Sequence, residues 1–219
     1  MSTISRQNYP VFYIPFGEDK LESSFCKILQ EDKRAVLNQA QVDQYGIDQK
    51  NQQEFDRQKF RILETYPLIR DILEAKFNQF VEDLGMAAEN GKALHKITSS
   101  WLTRLDQGDT IHMHNHNNCE WSGVVYFDDD YTNQPPLMFL NPLRQFTTYL
   151  SEVPARGYSA DWQRQPESGL ILFFPSWLFH GCMQTVSTNK PRRSIAFNIM
   201  PVGAYGADDS SMDTSWLSS

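Results

Sequence analysis

Cysteine is scarce: Cys26, Cys119 and Cys182 are the only three in 219 residues, an odd number with no C-x-x-C spacing. That excludes a disulfide framework and points to a reducing, intracellular setting. No stretch reaches the ~18 consecutive apolar residues that a membrane-spanning helix needs. The first residues, MSTISRQNYP, lack a charged segment followed by an apolar run, so no secretory signal is expected and a cytoplasmic location is. Excess basic charge is absent as well. Twenty Lys and Arg face 27 Asp and Glu, a net charge of −7, which argues against a nucleic-acid or membrane-surface partner. There is no internal repeat and no sustained low-complexity run. Histidine is also scarce, five in all, which makes its distribution informative.

The chain does hold the material for a sizeable core: 40% hydrophobic residues, with 14 Phe, 9 Tyr and 5 Trp. Its length suits one domain with an extension. YPVFYIPF (residues 9–16) reads as a short extended segment whose prolines suit a sheet edge. EDKLESSFCKILQ follows with Leu21, Phe25, Ile28 and Leu29 at helical spacing. Residues 38–56, rich in Gln, Asn and Asp, read as a solvated loop. From Pro67, the residues Ile69, Leu73, Phe77, Phe80 and Leu84 form one apolar stripe, widened by Ile72 and Val81, with Gly85 as the stop. This helix is expected to pack against a sheet.

After GMAAENGK the texture changes to short β-type runs: ALHKITSSWLTRL, TIHMH, SGVVYF, LMFL, GLILFF and RRSIAFNIM, separated by turn clusters such as DQGD and DDDYTNQPP. Many short strands without intervening helices imply a sandwich or barrel. The expected organisation is an N-terminal helical extension over residues 1–90, a β core over 91–203 and a flexible tail over 204–219.

Three of the five histidines, His112, His114 and His116, occupy alternate positions just before the SGVVYF run. In an extended chain, residues two apart share a face, so all three would look the same way. Three neutral imidazoles are costly to bury without partners and are common metal ligands. An H-x-H pair supplies two ligands and needs a third from elsewhere. His180, closing GLILFFPSWLFHG, is the better candidate, because His95 carries no such context. Twelve residues after His180 begins RRSIAFNIM, in which Arg192, Ser194, Ala196 and Asn198 share one face and Arg193, Ile195, Phe197 and Ile199 the other. The second face is mainly apolar, so Arg192 and Ser194 are expected opposite the core. MQTVSTNKP is long enough for a hairpin back beside His180, which would bring a guanidinium near the metal as an anchor for a carboxylate.

GDTIHMHNH, SGVVY, FPSWLFH and RRSIAFN occur in the order of four blocks characteristic of a subfamily of bacterial and phage proteins. Over residues 101–199 the chain resembles the iron(II)- and 2-oxoglutarate-dependent oxygenases, which carry H-x-D/E…H…R-x-S on a double-stranded β-helix. The resemblance implies a mainly β fold of jelly-roll, cupin-like type, with the N-terminal helices packed on it and α+β overall. It implies Fe(II) on His114, His116 and His180, the first six residues after Gly108 and the second six before Ser122. It further implies 2-oxoglutarate held through Arg192 and Ser194, with O2 as the other reactant. The reaction would be hydroxylation of a substrate with release of succinate and CO2. A small molecule or a peptide is the expected substrate class, and a homodimer is compatible with the sequence. Loops such as residues 141–168 are expected to border the substrate pocket.

The chain departs from that pattern at His116, where the superfamily carries a carboxylate, and at Thr103, where the subfamily carries Asn. Glu120, or less readily Asp109, is a candidate for the missing carboxylate. His112 is then an accessory or entrance residue. Trp121, Tyr126, Phe174 and Trp177 are candidates for the dry walls. Two alternatives remain open at this stage. A zinc hydratase or hydrolase could use the three-His set with an open water position. A non-enzymatic jelly-roll module could keep the metal to hold strands together.

Overall fold

A computed structural model of the chain describes residues 14–32, 59–85, 94–142, 161–205 and 208–218. Residues 9–13 of the expected first strand, the 38–56 loop and residues 143–160 of the expected pocket-bordering loop lie outside these. Strand alternation organises the whole fold. The larger sheet runs β1 (Gly17–Lys20), β7 (Leu170–Pro175), β4 (Trp121–Val125), β9 (Arg192–Val202) and β2 (Leu94–Leu105), every pair antiparallel. The smaller runs β3 (Ile111–His114), β8 (His180–Cys182), β5 (Leu137–Phe139) and β6 (Trp162–Arg164). The two sheets face each other as a jelly roll.

Two helices, α1 (Ser23–Gln30) and α2 (Pro67–Asp83), cover the outer face of the larger sheet. On β9 the odd residues Ile195, Phe197 and Ile199 point outward and join Leu73, Phe77 and Val81 in one buried cluster. Val125, Ile171 and Phe173 belong to the same layer, while Val124, Leu172 and Phe174 form a second cluster between the sheets. Gly123 is required on β4 because a Cβ there would sit 2.3 Å from the Phe197 ring.

α2 begins with Pro67 at its first turn and is followed by Gly85 at φ 70°, as the sequence implies. Its buried side differs from the expected stripe: Leu84 is exposed and Phe80 half-buried, whereas Glu74 is buried. The reason is the edge of β2. Glu74 accepts from Lys96 Nζ at 2.7 Å and from the Ile97 N–H at 3.0 Å. Asn78, one turn on, exchanges two 3.0 Å bonds with the backbone of His95. Further along, the Ser100 N–H donates to the Phe60 carbonyl at 2.7 Å. An edge strand with free backbone groups invites pairing with another chain, and these contacts close it.

Three further points differ from the sequence reading. The first strand of the larger sheet is β1 at Gly17–Lys20, just past the YPVFYIPF run. Residues 183–191 form no hairpin between β8 and β9; they cross from the smaller sheet to the larger, so Arg192 reaches the interior across the sandwich. Past β9, Ala204–Tyr205 pairs with Met212–Asp213, and the Thr214 hydroxyl donates to the Pro201 carbonyl at 2.6 Å. Among the described residues, no helix is long and apolar enough to cross a membrane.

Phe77 is fully buried and touches Phe80, His95, Trp121 and Phe173, with ring centroids 5.2–5.9 Å away. Phe77→Ala is expected to cost about 3–5 kcal/mol in urea unfolding. A loss below about 1 kcal/mol would show that the helix–sheet layer does not hold the sandwich together.

Candidate active site

His114 ends β3, and His180 opens β8 directly opposite it. The register between them shifts by one residue, since Ile111 pairs with Cys182 and His114 with His180. The resulting bulge breaks the alternation expected for His112, His114 and His116, a common device beside active sites. Gly181 makes the bulge possible, because a Cβ there would lie 2.8 Å from the carbonyl oxygens of Ile111 and His112. His116 lies beyond the strand, its N–H donating to the Ser176 carbonyl at 3.0 Å.

One ring nitrogen from each of His114, His116 and His180 lies within 4.8 Å of the other two, and Nε2 of His114 is 3.2 Å from Nε2 of His116. Each Nδ1 faces an oxygen acceptor. His114 Nδ1 meets the His112 carbonyl at 2.8 Å, His180 Nδ1 the Leu178 carbonyl at 2.8 Å, and His116 Nδ1 the Asn198 side-chain oxygen at 2.7 Å. An oxygen that only accepts fixes the proton on Nδ1 and leaves Nε2 with a free lone pair. Three such lone pairs converging is the arrangement that suits a divalent transition metal, and outer oxygen partners of this kind orient ligating histidines. The donor set therefore fits an iron(II) ion.

Burial favours the neutral form of His180 and His116. It pushes His180 down to about 3, against the opposing effect of its bond to the Leu178 carbonyl. Burial also lowers His116, opposed by the Asn198 bond and aided by the neighbouring His114.

The three rings open into a cavity of about 470 Å³ between the sheets. Its walls include Trp101, Val124, Leu137 and Phe174, and Arg192 and Ser194 line it from β9. Arg192 is 1% exposed. Its Nε donates to the Pro135 carbonyl at 3.0 Å and one Nη to the Tyr126 hydroxyl at 2.7 Å, and the guanidinium lies over the Tyr126 ring at 5.0 Å. Burial pushes the Tyr126 phenol up, with Arg192 opposing, so it remains a neutral partner. Among the described residues, no carboxylate pairs with Arg192. Its neighbour Arg193, on the opposite face, is paired with Asp128. A buried guanidinium whose partners are all neutral leaves uncompensated positive charge facing the cavity, and an anionic ligand relieves it.

Other expected residues lie elsewhere. The exposed His112 contributes its backbone carbonyl to the site. Glu120 is exposed and does not join the histidine group; its backbone pairs with Ile199 on one side and Ser176 on the other. Asp109 does line the cavity, but its carboxylate accepts from the Asp106 N–H at 2.9 Å within the turn. Trp121 packs on Phe77 and Phe80 in the outer layer, and Trp177 is half exposed, so neither walls the cavity; Tyr126 and Phe174 do. The sequence reading passed over Trp101, whose ring lies 5.3 Å from that of His116, and gave Asn198 no role. Its own alternation on β9 had already put Asn198 on the inward face.

Residues 99–198 match a family model described as "Putative 2OG-Fe(II) oxygenase". The β core matches the 2OG-Fe(II) oxygenases. The matched segment runs from β2 to Asn198 and contains all five candidate residues. That family consists of oxidoreductases that use Fe(II), 2-oxoglutarate and O2, and the core of this chain carries the three-histidine group that suits the metal. A comparison with curated proteins gives no match. Among solved structures, the chain is similar to apo HygX from Streptomyces hygroscopicus (12% identity, 86% of this chain and 82% of that one, TM-score 0.50). It is also similar to a prolyl-4-hydroxylase from Pseudomonas putida (15% identity, 85% and 89%, TM-score 0.48). A third is HygX with nickel and 2-oxoglutarate bound (11% identity, 86% and 83%, TM-score 0.46). At these identities the likeness concerns the fold.

The lowered histidines generate a prediction about acid. In the unfolded chain each titrates near ~6.5. Between there and about 3, the unfolded chain binds a proton that the folded His180 does not. Stability without metal is therefore full above about pH 6.5 and falls as pH drops below it. The urea midpoint should decline from pH 7 to pH 4.5, and more shallowly in His180→Gln. Identical declines would show that His180 is not buried as a neutral ring.

Proposed function

We propose that this oxygenase is a dioxygenase that hydroxylates a small-molecule or peptide substrate, with release of succinate and CO2. One observation carries the reading: three convergent imidazole lone pairs and a buried guanidinium with only neutral partners share one cavity. Bound together, iron(II) and 2-oxoglutarate supply the activation of O2 and the two-electron oxidation that substrate hydroxylation requires.

The residues of this chain divide the remaining work. His114, His116 and His180 would hold the iron through Nε2, each ring kept in orientation by its Nδ1 partner. Arg192 would pair with the distal carboxylate of 2-oxoglutarate, using N–H groups not engaged by Pro135 and Tyr126. Ser194, two residues along the same face of β9, would donate its hydroxyl to that carboxylate. Val124, Leu137 and Phe174 make the surrounding wall apolar and exclude water, which strengthens the ion pair. Trp101, against His116, would form a wall on the side where substrate meets the metal.

The three-imidazole set is also that of zinc hydration enzymes, but such chemistry has no use for a carboxylate anchor in the same cavity. Thermal-shift titration with Mn(II), with and without 2-oxoglutarate, separates the two. Each ligand at about a hundred times its Kd should raise the melting temperature by roughly 5–10 °C. His180→Ala should abolish both increments. Arg192→Ala should keep the metal increment and lose that of 2-oxoglutarate. An undiminished 2-oxoglutarate increment in Arg192→Ala, or wild-type protein that makes no succinate from 2-oxoglutarate with iron(II) and ascorbate, would sink the proposal.

A further inference from the structure

His116 is held differently from the other two rings. His114 and His180 each bond a backbone carbonyl two residues upstream, so their orientation is set locally. His116 lies past the end of β3 and takes its Nδ1 partner from β9, 82 residues away. It also occupies the position where related oxygenases carry a carboxylate, which needs no choice of tautomer. An imidazole does: with its proton on Nε2 it would offer an N–H to the ion instead of a lone pair.

We propose that Asn198 is the positioning residue that makes His116 a ligand, with Ser122 fixing the orientation of the Asn198 amide; this rests on the iron-site reading above. The hydrogen bonds run in one direction. The Cys119 thiol donates to Ser176 Oγ at 3.0 Å. The Ser176 hydroxyl, 2.9 Å from Ser122 Oγ, then donates to it, and Ser122 donates to Asn198 Oδ1 at 3.4 Å. The chain ends on the amide oxygen, which also accepts the His116 Nδ1–H at 2.7 Å, while Ser122 Oγ lies farther from the same Nδ1, at 3.3 Å. The opposite amide orientation would aim an N–H at Nδ1, moving the imidazole proton to Nε2 and blocking the metal. A backbone carbonyl cannot turn over in this way; a side-chain amide can, and Ser122 and Ser176 hold it. Ser122 and Ser176 are both about 1% exposed, so water does not replace them.

Cobalt(II) titration of the full chain, followed by its visible absorption, tests this without relying on turnover. Asn198→Ala should weaken cobalt binding about 10–100-fold and change the visible band. In a His116→Asp background, where no tautomer has to be chosen, the same substitution should change affinity by less than about twofold. Equal losses in both backgrounds would mean a merely structural role and overturn the proposal, as would no loss in either. Should His116→Asp take up no cobalt, the zinc(II)-loaded protein supplies a second readout. The His116 Nδ1–H should give a slowly exchanging, downfield proton signal in wild type and lose it in Asn198→Ala; its persistence overturns the proposal. Wild-type protein that binds no cobalt would instead refute the metal-site reading itself.

Discussion

The structure depends on one strand being buried on both faces with opposite chemistry. β9 sends Ile195, Phe197 and Ile199 into the layer under the helices, and Arg192, Ser194 and Ala196 into the cavity, with Asn198 on His116. A slip of one residue would exchange the two sets, driving an arginine into the apolar layer and isoleucines into the site. Pairing on both sides prevents it: β9 is fixed to β2 along its whole length and to β4 through Trp121–Val125. The helices contribute to function through that register. They bury the outward face, and burial of that face decides which residues turn inward.

The second constraint is charge. A two-His, one-carboxylate site gives the metal one negative ligand, whereas the three imidazoles here give none. Arg192 adds a further positive charge to the same cavity, held by a phenol, a carbonyl and an aromatic face. A cavity of this kind has an unmatched demand for anions, and a dicarboxylate that meets the metal at one end and the guanidinium at the other satisfies both. Arg193 illustrates the contrast, because on the outward face it is neutralised by Asp128 and has nothing left to recruit.

Much of this was legible in the sequence because it follows from a period of two. The inward face of β9 and the run of short strands depend on local pattern alone, whereas His180 stands out by the context of its run and by the resemblance. What was not legible depends on contacts between segments. The bulge between Ile111 and His114 arises where β3 meets Gly181, so the sequence alone aligned His112 with its neighbours. The burial of Glu74 is not legible either, since nothing local says that the edge of β2 needs an acceptor for the Ile97 N–H. Trp121 and Tyr126 read as equivalent aromatic residues. Trp121 opens β4 and Tyr126 lies just past its end; the two fall in different layers, and only the position of the helices shows which layer is outer.

The bulge also bears on which histidine pair faces the ion. In a regular strand, a shift of two residues would preserve the face, and His112 with His114 would serve as well as His114 with His116. The extra residue before His114 removes that degeneracy. It turns the His112 ring out while aiming its carbonyl at His114 Nδ1, so the residue that loses its place as a ligand becomes the one that orients the next. His116, beyond the strand, then has to reach back toward Asn198, and Trp101 closes on its other side. The geometry of three ligands thus follows from one inserted residue opposite one glycine. A side chain at residue 181 would push the two carbonyls away and dismantle the site while leaving every histidine in the sequence.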